Sequence, residues 1–136
     1  MTFPVLSVSV ETKRCKRFIR VMERGRADHL IKQGEVFACK KVVNTNVWSQ
    51  HAWGNAVDLI LKDPSVINLH DVAMNAFHQA TKRTIANRGV RVPIQTIIWT
   101  DRAWVYGRGW EAYTGEYHNH VHVDFRPPKE GTPPCA

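Results

Sequence analysis

Acidic residues are scarce in this chain. Twelve Asp and Glu stand against nineteen Lys and Arg over 136 residues, a formal charge of +7 at pH 7, and that imbalance points to an anionic partner. Cysteine is equally sparse. Cys15, Cys39 and Cys135 are an odd number in no zinc-type spacing, which sets aside a thiolate metal site; they read as buried or inert thiols, with a Cys15 to Cys39 bridge as the alternative. No apolar run is long enough to cross a bilayer, and the segment Met1-Thr2-Phe3-Pro4-Val5 lacks the charged start and apolar stretch of a secretory signal. The expectation is a protein made in the cytoplasm, with no membrane span. There is no internal repeat, and no Gly-x-Ser-x-Gly elbow surrounds Ser49, so that serine reads as a hydrogen-bond partner and not as a nucleophile.

What is present suits one small folded domain. A hydrophobic content of 43% and five Trp argue against disorder. Residues from about Glu11 to Gln33 read as helical, with Cys15, Phe18, Ile19 and Met22 on one face and Gly25 breaking or bending the run. Residues 68 to 88 form the clearest helix. Asn68 followed by Asp71 suits a cap, Leu69, Val72, Ala73, Ala76, Phe77 and Ala80 make the apolar stripe, and Gly89 closes it. Ala56 to Leu61, Pro93 to Trp99, Ala103 to Tyr106 and residues 121 to 125 read as strands. This order favours an α+β domain, a small antiparallel sheet flanked by helices, over residues 1–126. The Pro-rich stretch 127–136 reads as a tail or linker.

Two compact segments carry the chemistry. Ser49-Gln50-His51-Ala52-Trp53-Gly54-Asn55-Ala56-Val57-Asp58 and His118-Asn119-His120-Val121-His122-Val123-Asp124 together offer a complete set of zinc ligands, three His and carboxylate donors with a fourth position left for water. His51 and Asp58 would lie about 23 Å apart in a strand and about 10 Å apart in a helix. Ligands of one ion sit only some 3–4 Å apart, so the chain must double back, and Gly54-Asn55 tolerates that turn. In the second segment alternation puts His118, His120, His122 and Asp124 on one face and Val121, Val123 and Phe125 on the other. His29, His70 and His78 have no ligand partners at useful spacing. Trp48, Trp53, Trp99, Trp104 and Trp110 are read mostly as core, with a substrate cleft as the rival reading.

The motif Ser-x-His-x-x-Gly-x-Ala-x-Asp, matched from Ser49 to Asp58 and followed by His-x-His at His120 and His122, resembles the zinc peptidases of peptidoglycan. That group includes D-Ala-D-Ala carboxypeptidases and dipeptidases, the L-alanyl-D-glutamate endopeptidases of phage endolysins, and the murein endopeptidases. The likeness covers roughly residues 36 to 126. It implies one Zn²⁺ per chain, held by His51, Asp58 and His122 in a cleft on the sheet. Asn119 stands where many carboxypeptidases and endolysins of the group carry Glu or Asp. The His-x-His arrangement is closer to the murein endopeptidase branch, where the first His is catalytic, which makes His120 the general base. Ser49, His118 and Asn119 take supporting or substrate-binding places, and Lys40, Lys41 or Arg102 could supply the cation that stabilises the oxyanion.

The implied function is hydrolysis of a stem-peptide or cross-link bond beside a D-residue by a phage or prophage endolysin module, acting as a monomer. It would leave the host cytoplasm through holin pores. A zinc-binding wall-recognition domain without activity is the alternative. The crowd of Lys13, Arg14, Lys16, Arg17, Arg20, Arg24 and Arg26 would draw the N-terminal helix to an anionic wall polymer. No nucleic-acid fold motif or stacking platform is present, so nucleic acid ranks below the wall.

Overall fold

A computed structural model describes residues 3–23, 38–61 and 68–136, with side chains described from Lys13 onward. Helix α1 (Phe3–Glu23) comes first, then a 3-10 turn (Gln50–Trp53), strand β1 (Ala56–Leu59), helix α2 (Leu69–Thr81), and strands β2 (Ile94–Thr100), β3 (Arg102–Val105), β4 (Gly109–Ala112) and β5 (His118–Phe125). The five strands form one antiparallel sheet in the order β1-β5-β2-β3-β4. This is the α+β architecture expected. The last strand in sequence is inserted between β1 and β2, and that insertion brings the two distant motifs side by side.

The core lies between the helices and one face of the sheet. Cys15, Phe18, Ile19 and Met22 of α1 meet Val72, Ala73, Ala76 and Ala80 of α2 and Val121, Val123 and Phe125 of β5. Both apolar helix faces are those the periodicity predicts. The Phe18 and Phe125 rings pack edge to face at 5.4 Å, a favoured aromatic geometry. Asn68 caps α2 as expected, its side chain accepting from the Asp71 N–H at 2.9 Å.

Four expectations need correction or limit. α2 ends at Thr81 and not near Arg88. Buried Gln79 captures the chain beyond it: its carbonyl accepts from the Val92 N–H at 2.9 Å, and its side-chain oxygen accepts from the Thr84 hydroxyl and from Asn87. Gly89, at φ +75°, therefore sits in a turn between Thr84 and Val90 and does not stop a helix. The cysteines are not all thiols, since Cys39 and Cys135 are joined across 96 positions while Cys15 is a buried thiol. The Cys15 to Cys39 alternative falls with that. The stretch 127–136 is fastened to the body by this bridge and by a pair of hydrogen bonds between Gln50 and Lys129, each 2.9 Å. The proposed break at Gly25, and the helix beyond Glu23, lie outside the described residues.

Candidate metal centre

Ser49 starts the first motif by capping the 3-10 turn, its hydroxyl accepting from the His51 N–H at 3.2 Å. Gly54 ends the turn at φ 67°, ψ 22°, and its N–H reaches back to the His51 carbonyl at 3.0 Å. A side chain at Gly54 would meet the left-handed penalty, so glycine is what lets the chain reverse there. Asn55, fully buried, then locks the reversal: its amide donates to Gln50 Oε1 at 2.9 Å and to the Phe125 carbonyl at 3.0 Å. From α1, Arg14 donates to Asn55 Oδ1 and the Cys15 thiol to the Gly54 carbonyl at 3.3 Å. Helix packing is thus transmitted to this loop through hydrogen bonds.

Register completes the set. Asp58 of β1 lies directly opposite His122 of β5, and cross-strand neighbours on one face of a sheet sit about 4.5–5.5 Å apart. His51 closes the group from the turn. His51 Nε2 is 3.1 Å and His122 Nδ1 is 3.4 Å from the same Asp58 oxygen. One ligand atom from each of His51, Asp58 and His122 lies within 4.8 Å of the others, so the three could hold a metal ion. All three are shielded, with His51 at 3% and Asp58 at 8% exposure. They lie in a cleft of about 300 Å³ that Lys40, Lys41, Trp48 and Tyr113 also line.

The neighbouring side chains settle the protonation. Burial opposes ionisation of Asp58, but hydrogen bonds from His120, His122 and His51 hold its carboxyl well below the usual range. Burial likewise works against charge on His122. Its hydrogen bonds to Asp124 and Asp58 prevail and raise it to about 9. Asp124 Oδ2 is 2.8 Å from His122 Nε2, which directs Nδ1 toward Asp58. A carboxylate behind a ligating imidazole fixes the ring and raises its basicity. Asp124 was placed on the correct face by alternation, yet nothing in the spacing distinguished its role.

His120 Nε2 also reaches Asp58 Oδ1, at 3.3 Å, while its Nδ1 meets Asn119 Oδ1 at 3.0 Å. Its ring lies 5.1 Å from that of His118. His118 is pushed down by burial, against a 2.7 Å hydrogen bond to the Glu116 carbonyl. Behind it stands Tyr113, ring to ring at 5.3 Å, with its hydroxyl raised by burial and by Glu116. Sequence reasoning missed Tyr113. Its one signal is Gly115, where a methyl group would run into the phenol.

Of the three cations considered for the site, Lys40 and Lys41 line the cleft and Arg102 does not. Lys41 donates to Asn46 at 2.8 Å and lies 5.2 Å over Trp48. Trp53 and Trp104 are buried, Trp99 packs against the core, and Trp48 alone of the five borders the cleft. His70 and His78 are exposed on α2, away from the centre, and His29 lies outside the described residues. No protein-family model, curated protein or solved structure matches the chain.

Proposed function

We propose that the chain is a zinc-dependent peptidase of peptidoglycan, hydrolysing a stem-peptide or cross-link bond beside a D-residue as the catalytic module of a phage or prophage endolysin. The observation that carries this reading is the convergence of His51, Asp58 and His122 in a cleft, with His120 against the same carboxylate oxygen. Two imidazoles and one carboxylate suit zinc and leave a position for solvent, whereas a structural site is closed by four side chains. His51 through Nε2, Asp58 through its carboxylate and His122 through Nδ1 would hold the ion. Bound zinc supplies Lewis acidity, lowering the pKa of water and polarising the scissile carbonyl.

The side chains do the rest. With Nδ1 engaged by Asn119, His120 presents Nε2 to the centre, where it accepts the proton of the attacking water and returns it to the leaving amine. Asp124 keeps His122 oriented, and His118, held neutral by its burial, backs His120 without adding charge. The Tyr113 hydroxyl keeps its proton and can donate to a substrate carbonyl or carboxylate. Lys40 and Lys41 supply the cationic side of the cleft. The proposed route to the wall is release from the host cytoplasm through holin pores; among the described residues no helix is long and apolar enough to cross a membrane.

Incubating the zinc-loaded protein with purified peptidoglycan and with casein tests the reading. New amino termini from peptidoglycan alone, abolished by a chelator and restored by zinc, are expected. Cleavage of casein without release of amines from the wall would refute it. Zinc binding with hydrolysis of neither would favour the inactive recognition domain, which Asn119, in place of a carboxylate, keeps in view.

A further inference from the structure

A second concavity, of about 660 Å³, opens between α1 and the 82–93 loop. Among the described residues it shares none with the cleft at Asp58. Strand alternation separates the two: Asp124 borders the metal cleft, while Phe125, pointing the other way from β5, floors the second groove. Arg17 and Arg20 on α1 and Arg88 and Arg91 on the loop edge this groove, and no carboxylate lines it among the described residues. All four are exposed, and none of their guanidinium groups has an ion-pair or hydrogen-bond partner among the described residues. Four unneutralised guanidinium groups around one depression repel one another, and an anion relieves that repulsion. Arginine's planar fork also matches phosphate oxygens two at a time.

We infer that this groove binds a slender anionic polymer of repeating phosphodiesters without bases, of the poly(glycerol phosphate) kind, and so holds the protein on its substrate. The occupant follows from the lining. Phe18 is 3% exposed and Phe125 is fully buried, so no aromatic face is offered for a base to stack on, as single-stranded nucleic acid would require. The partner polymer rests on the wall-peptidase reading, but the groove's charge does not.

The test is calorimetric titration of the full chain with a defined poly(glycerol phosphate) and with a single-stranded oligodeoxynucleotide of equal charge. The polymer should bind more tightly than the oligonucleotide, and its affinity should fall steeply as salt rises. Combined substitution of Arg17, Arg20, Arg88 and Arg91 by Ser should weaken binding by roughly tenfold or more. Removing the same charge at Lys13, Lys16, Lys82 and Arg83, all outside the groove, should cost less than about threefold, a screened long-range effect. Equal losses in the two variants, tighter binding of the oligonucleotide, or no binding of the polymer would overturn the inference. If the fourfold variant does not fold, Arg20→Glu and Arg91→Glu singly must each weaken binding more than Lys82→Glu does. Metal content and hydrolysis of soluble stem peptides should survive in the groove variant. Polymer binding without such hydrolysis in the unaltered protein would instead strike the peptidase reading and leave the groove supported.

Discussion

Three imidazole nitrogens face one oxygen of Asp58, and on His122 a metal would have to displace a proton. His122 is raised from 6.5 to about 9, and metal binds its unprotonated form. Metal uptake at pH 7 should therefore release protons, visible as a reaction heat that changes with the ionisation enthalpy of the buffer. The same shift fixes a stability trend. Because the folded value lies above the unfolded one, the contribution of His122 to the metal-free fold is complete below about pH 6.5 and lost as pH rises through about 9. Denaturant midpoints of the metal-free protein should fall over that window, and His122→Gln should flatten the fall. Alanine at His51, Asp58 or His122 should abolish stoichiometric metal. Asp124→Asn should keep the fold and weaken metal affinity roughly ten- to hundredfold, because the ligand it orients remains but is less basic. Unchanged affinity in that variant would remove Asp124 from the site.

Elements decide what single residues cannot. The antiparallel pairing of β1 with β5 places Asp58 opposite His122, and a one-residue slip of β5 would turn His122 from the cleft into the core while Asp58 stayed. The β2–β3 turn places Thr100 at φ 51°, a left-handed conformation that a β-branched residue adopts under strain. Thr100→Asn should raise stability by about 1 kcal/mol, since Asn tolerates that region; a lower denaturation midpoint would show the strain to be absent. The hairpin-like loop carrying Lys41 and Trp48 is joined to the ligand turn by Ala38 N–H to the His51 carbonyl, 3.0 Å, and by Ser49 N–H to the Lys40 carbonyl, 3.0 Å. Cys39 ties its start to Cys135. Cys135→Ala should cost about 2–4 kcal/mol by relaxing a long closed loop, with increased proteolysis near residues 39–48 as the local sign.

Periodicity made the buried faces of α1 and α2 legible in the sequence, and alternation did the same for β5. The end of α2 was hidden because Gln79 stops it through contacts with residues 84–92, a tertiary effect with no local signature. Strand β4 was hidden as well. It is an edge strand, exposed along most of its length, and carries no alternating pattern to read. The bridge across 96 residues follows from topology and could not be seen in spacing.

The two concavities lie on opposite faces of one sheet. The histidine face of β5 borders the cleft at Asp58, and the opposite face carries the apolar core and, at its margin, the arginine groove. Part of the basic N-terminal segment turns inward, since Arg14 supports Asn55 and stacks 4.9 Å over Phe125. Charge alone did not reveal that structural use, because an arginine's direction depends on what its helix packs against. Attachment and hydrolysis should accordingly respond to different substitutions, those at the groove lowering retention on the wall and those at His120 lowering turnover. The central claim is that the residues around Asp58 form a hydrolytic centre in which His120 moves the proton. The most direct measurement is amine release from purified peptidoglycan by the zinc-loaded protein and by its His120→Ala variant, with zinc counted in the same samples. The account predicts close to one zinc per chain in both, release of new amino termini by the first, and loss of that release by at least about a hundredfold in the second. Zinc bound in both with equal release, or with none from either, would contradict it.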